Sequence, residues 1–134
     1  MAGQTFDGQQ MKASGLIAGS GLTGATAQYK FVKMSADNTV VLCSGVNDVP
    51  IGVLQEVPPA TGDPVDVCTV GQTMVQAGAS LSAGNIIATN ASGQAQVAVS
   101  GQIAAGQVLN VSGATSAGNL ITAYVNLAAP SIKA

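Results

Sequence analysis

Apolar positions in this chain come in short runs, several alternating with polar ones at a period of two, broken every few residues by Gly, Pro, Asn or Asp. Runs of that length fit half-buried strands and leave no uninterrupted stretch for helices. In Tyr29-Lys30-Phe31-Val32-Lys33-Met34 the rings at 29 and 31 fall on one side of a strand and Lys30 on the other. Ser35-Ala36-Asp37-Asn38 supplies a turn, because Asp and Asn side chains bond nearby backbone and tolerate left-handed conformations. Thr39-Val40-Val41-Leu42-Cys43 reads as the returning strand. Residues 50–57 predict the next strand, with Pro50 at its start and Gly52 marking a bulge or a barrel bend. A stiff crossing over residues 58–64 leads to residues 65–70, then Gly71-Gln72, then residues 73–77, a spacing that predicts a hairpin. Further strands are expected at residues 86–89, 94–99, 107–111 and 120–127, with residues 128–134 as a terminal strap. The fold class is therefore all-β, a small antiparallel β-barrel or β-sandwich.

One device recurs. Ser82-Ala83-Gly84-Asn85-Ile86-Ile87 returns as Ser116-Ala117-Gly118-Asn119-Leu120-Ile121, each a Gly-Asn turn feeding an apolar strand. Two copies do not make a solenoid, which needs at least three to bury a continuous face, so the echo reads as one turn type used twice.

Residues 1–27 read differently from residues 28–134, which form the β-domain. They scatter Gly3, Gly8, Gly15, Gly19, Gly21 and Gly24 among small polar residues, with Phe6 and Leu16-Ile17 as isolated apolar anchors. Such a stretch closes no core by itself and is expected as an extended N-terminal arm, either a loose terminus or one ordered against a neighbouring subunit. A signal peptide with Met11 to Ile17 as its apolar centre and a cleavage site at Ala25-Thr26-Ala27 is not expected, because that centre begins late and is broken by Gly15, Gly19 and Gly21.

Composition sharpens the picture. Only 7% of the 134 residues are charged, against roughly a quarter in ordinary globular proteins. Lys12, Lys30, Lys33 and Lys133 are the cations, and no charged side chain occurs between Asp66 and Lys133. With a net charge of −2, a monomer would rely on Ser, Thr, Gln and Asn for solubility; the favoured alternative is that much of this half is buried against other subunits, whose interfaces are depleted in charge. Four scattered lysines give no nucleic-acid footprint. No apolar run is long enough for a membrane helix, and the aromatic girdles of an outer-membrane barrel are missing. Recurrent Val, Ile and Leu argue against disorder.

Candidate chemistry is sparse. Without His, acid–base work would fall to Asp7, Asp37, Asp48, Glu56, Asp63 and Asp66 or to a lysine. The nearest pair, Asp63 and Asp66, lies on opposite faces of an extended chain, and no stretch has the dense acids of a calcium loop. No catalytic, cofactor-binding or metal-binding residue is assigned, no cofactor is expected, and the chain is not expected to be an enzyme. Cys43 and Cys68 sit in apolar strands and are expected as free buried thiols rather than a disulfide. A biotinyl or lipoyl carrier is excluded because no Lys occurs between Lys33 and Lys133 to sit at a hairpin tip.

The order Tyr29-Lys30-Phe31-Val32-Lys33, Asp48-Val49-Pro50-Ile51-Gly52-Val53-Leu54, Val65-Asp66-Val67, Val75-Gln76-Ala77-Gly78, Leu81-Ser82-Ala83-Gly84-Asn85 and Gly118-Asn119-Leu120-Ile121 resembles the capsid cement, or decoration, proteins of tailed bacteriophages over most of the chain after Gln28. The resemblance implies a small β-structure, commonly a homotrimer, made in the host cytoplasm and placed on the outer surface of the icosahedral head, where it ties neighbouring major capsid protein subunits together. It implies no catalytic residues, and no nucleic-acid or membrane partner is expected. Two other readings stand beside it: a receptor-facing or fibre-like virion protein, and a non-viral surface or pilus-type subunit.

Overall fold

The structure, a computed structural model, describes residues 10–22, 25–57, 60–111 and 116–134. Its strands are β1 (Gln10–Ala13), β2 (Ile17–Ala18), β3 (Phe31–Ala36), β4 (Thr39–Leu42), β5 (Gly52–Leu54), β6 (Val67–Gln76), β7 (Ile86–Thr89), β8 (Ala95–Val97), β9 (Ile103–Ala104), β10 (Gly106–Asn110), β11 (Leu120–Asn126) and β12 (Ser131–Ile132). A 3-10 turn at Ala25–Ala27 is the one helical element among the described residues. The fold is all-β.

One ten-stranded sheet runs β2-β4-β3-β5-β6-β11-β10-β7-β8, with β1 also paired to β6, and β9 and β12 form a separate two-stranded sheet. Every pairing of these strands is antiparallel except β2 with β4. The barrel expected from the turn spacing does not close. Its end strands are two and three residues long, and β8 meets the end of β6 only at the single bridge Ala77–Ala95, too little for a continuous ladder.

β6 is the spine. It pairs with β11 from Val70 to Gln76, with β5 at Val67 and Cys68, and with β1 between Val67 and Gly71. The hairpin expected at Gly71-Gln72 is therefore corrected to a continuous ten-residue strand. Gly71 does adopt a backbone only glycine favours, φ 131°, but β11 lies along the whole segment and holds it straight. A second correction concerns Tyr29. It sits at φ 66°, outside β3, with its N–H donating to the Leu54 carbonyl and its carbonyl accepting from the Gln76 N–H, so it does not share the face of Phe31. Gly52 marks a close approach, since a Cβ there would fall on the Cys68 carbonyl oxygen.

Neighbouring residues on the central strands point into two different cores. Phe31, Val53 and Cys68 join Val75, Ile87, Val108, Ile121 and Val125 in one cluster. Val32, Leu54 and Val67 join Leu16, Ala18, Leu22, Ala27, Val40 and Val65 in the other. Strands buried on both faces read as unbroken apolar runs, which accounts for Val53-Leu54. The second cluster exists because the chain from Gln10 onward is laid on its own sheet through β1, β2 and the buried Leu16, Ala18 and Leu22. Phe6 and the rest of residues 1–9 lie outside the described residues, as do Pro58 and Pro59 of the expected crossing.

The repeated turn is borne out and extended. At Gly84 and Gly118, φ is 90° and 91°, the Asn85 and Asn119 N–H groups donate to the Ser82 and Ser116 carbonyls, and the Asn side-chain oxygens accept from the Ser82 and Ser116 N–H groups. This is a type II turn with glycine at its third position. Gly21, Gly62 and Gly101 adopt the same backbone, with matching bonds from Leu22 to Gly19, Asp63 to Ala60 and Gln102 to Val99.

Candidate functional site

The charge-free half of the sequence forms the sheet β6-β11-β10-β7-β8 together with β9 and β12. Three adjacent strands each carry a pair of consecutive apolar residues, Ile86-Ile87, Val108-Leu109 and Leu120-Ile121. Because side chains alternate across a strand, one of each pair must face outward. Ile87, Val108 and Ile121 are buried, whereas Ile86, Leu109 and Leu120 are 36%, 45% and 39% exposed. Register places Gln72, Tyr124, Gln107 and Ile86 in a row across four strands on that outer face. Tyr124 stands 49% exposed in the middle of it.

The row opens into a groove of about 480 Å³ whose lining includes Ile86, Gln107, Leu109, Tyr124, Ala129 and Ser131. Ala129 and Ser131 of that lining belong to the C-terminal strap. A second groove, about 420 Å³, lies around Tyr29, Gln28, Gln76 and Leu120. Neither contains an ionisable group other than a tyrosine hydroxyl. A face of this kind excludes water from apolar side chains when covered and presents no charge that must be matched or desolvated. The apolar dyads in the sequence carried the signal for it; what the sequence did not disclose was that they lie side by side.

The carboxylates are dispersed. Asp66 pairs loosely with Lys12 at 3.7 Å in solvent, its N–H donating to Glu56, and Asp63 ends the turn after Gly62. Asp48 is the organised one. Its Oδ2 lies 2.8 Å from Lys33 Nζ and accepts from the Ser44 and Gly45 N–H groups, shaping the loop between β4 and β5. Those donors, Lys33 above all, hold its carboxyl below the usual carboxylate range. A carboxyl with a lowered pKa contributes stability that is present above the unfolded-state pKa and lost as pH falls through the folded-state value. Asp48→Asn is accordingly expected to cost about 1 kcal/mol at neutral pH. Urea titrations of both proteins should converge as pH drops below about 4; a gap that stays constant with pH would contradict the ion-pair account.

Cys43 and Cys68 are both free and buried, as expected. Burial pushes the Cys43 thiol up to about 12, partly offset by a hydrogen bond with Thr89, and the Cys68 thiol up to about 11. Neither is a nucleophile at neutral pH. Among the described residues no group of three or more Cys, Asp or Glu side chains is placed to hold a metal, and no helix is long and apolar enough to cross a membrane.

These features define a class: an all-β module, poor in charge, with one apolar-studded face. No protein-family model matches the chain, and no curated protein matches it in sequence. Among solved structures, the N base of head fiber gp8.5 from bacteriophage phi29 shares the fold, with a TM-score of 0.63 and 18% identity, covering 87% of this chain and 96% of that one.

Proposed function

We propose that this protein is a non-enzymatic structural component of a phage virion that docks on the outside of the head and stabilises contacts between major capsid protein subunits, the role of a cement or decoration protein. The observation that carries the reading is the fold shared with a head-fiber base over nearly its whole length. It is supported by the neutral face bearing Ile86, Leu109, Leu120 and Tyr124, which suits contact with other subunits of an assembly. A protein that binds only the assembled shell stabilises that state by mass action, and many equivalent sites multiply the effect. Because the structural neighbour is a base, a second reading is that this chain anchors a fibre to the head. A base does not need the host-contacting patch that a fibre tip would carry.

The test is light scattering of the purified protein followed by co-sedimentation with purified phage heads. A self-associated species that sediments with heads is expected, and a monomer that ignores them would overturn the proposal. Leu109→Asp and Tyr124→Asp should each weaken head association about tenfold or more, since a charge on a covered face must be desolvated without a partner. Met34→Asp, on the charged half, should leave it unchanged. Equal effects from all three would remove the neutral face from the interaction.

A further inference from the structure

The strap over residues 128–134 is held to the rest of the chain mainly by its backbone. Leu127, at 5% exposure, is the last buried side chain before it; Ala128 to Ile132 are all exposed, and Ile132, at 67%, is the most exposed large apolar residue of the described chain. What holds the strap is backbone: β12 pairs Ser131 with Ala104 and Ile132 with Ile103, Lys133 N–H donates to the Gln102 carbonyl, and Gly101 N–H donates to the Lys133 carbonyl. The open groove is lined by Ala129 and Ser131 of the strap together with Ile86, Leu109 and Tyr124 of the sheet.

A segment held by a few backbone bonds and no buried side chain sits at the low end of local stability, because those bonds barely offset the ordering of its residues. When it lifts, it leaves the edge of β9 unpaired, and an unpaired edge is a template for another strand. The strand whose register on that edge is already on view is Ser131–Ile132. An identical strand from a second copy presents the same backbone in the same register, and the exposed Ala128-Ala129-Pro130 link supplies the pivot. We propose that the strap exchanges between copies, β12 of one chain pairing with β9 of another. In dilute solution the chain's own strap wins, since its effective concentration is in the millimolar range; copies held side by side would reverse that balance. The inference goes beyond head docking and does not depend on it.

Register supplies the test. Lys133 makes the cross-strand bonds, so Ile132 and Ile103 form the neighbouring non-hydrogen-bonded pair, the closer of the two pair types and the one suited to a cross-strand disulfide. Chains carrying only Ile103→Cys are mixed with chains carrying only Ile132→Cys and oxidised, and the products are separated without reductant. The native thiols are buried and wild-type protein serves as the blank. The variant carrying both substitutions should form an intrachain bridge. The mixture should yield a disulfide-linked heterodimer of the two single variants, rising at least tenfold as concentration goes from about 10 µM to about 1 mM, the range set by the strap's effective concentration. An intrachain bridge with no heterodimer above the single-variant homodimers at any concentration would overturn the proposal, as would failure of the double variant to bridge at all. If Ile103→Cys does not fold, Ala104→Cys and Ser131→Cys probe the adjacent pair in the same way. The protein alone suffices, so a negative result leaves head docking standing, and failure to bind heads leaves the exchange standing.

Discussion

Phe31→Ala is expected to lower the free energy of unfolding by about 4 kcal/mol. Phe31 is the largest fully buried side chain among the described residues. It is also anchored at both ends of its backbone, its N–H donating to the Gly93 carbonyl and its carbonyl accepting from the Cys43 N–H, while Val53 lies opposite it in β5. The residues around it are Ala, Val, Ile, Leu and Cys on strands tied to one another by ladders. Such walls cannot move in to fill the space of a lost ring, so the cavity term adds to the lost transfer energy. In a domain of this size the midpoint of thermal unfolding should fall by roughly 15 °C. Paired thermal and urea melts would measure it, and an unchanged urea slope would confirm that the native state alone is affected. A loss under about 1.5 kcal/mol, below the usual range for a buried aromatic, would mean that the core around Phe31 is not packed as described.

Gly106→Ala should be damaging for a different reason. Gly106 lies in β10 with Val125 of β11 on one side and Ile87 of β7 on the other. A Cβ there would fall on the Tyr124 carbonyl oxygen and within 2.9 Å of the Val125 Cα, and neither is a side chain that can rotate away. One methyl group must therefore push β10 from β11, loosening the strand pair that carries the neutral face. A loss of about 3 kcal/mol or failure to fold is expected. Gly101→Ala is the control. Its glycine has φ 90° but nothing within 4 Å of an added Cβ, so only the left-handed backbone penalty applies, about 1–2 kcal/mol. Comparing the two by urea titration separates crowding from backbone strain, and equal losses would argue against the close approach.

That pair of glycines also marks how far the sequence could be read. The turn glycines were legible because a type II turn is a local object: Gly84 and Gly118 advertise themselves through the Asn that follows and the apolar strand beyond. Gly106 carries no such mark, since what crowds it is the backbone around Tyr124, 18 residues downstream. The same distinction separates the expected hairpin at Gly71-Gln72, a motif of the right local form, from the continuous β6 that forms because β11 runs beside it.

By itself, the sequence determined the all-β class, most of the strands, the free buried thiols and the absence of charge from one half, since these follow from residue type and from a period of two along the chain. Tertiary structure alone decided that the sheet stays open, that Leu16, Ala18, Leu22 and Ala27 roof a second core, and that Ile86, Leu109 and Tyr124 meet on one face beneath an exposed strap. The physical reason is that strand pairing joins residues far apart in the chain. Alternation says which side of a strand a residue occupies, but only the ladder says which strand lies next to it.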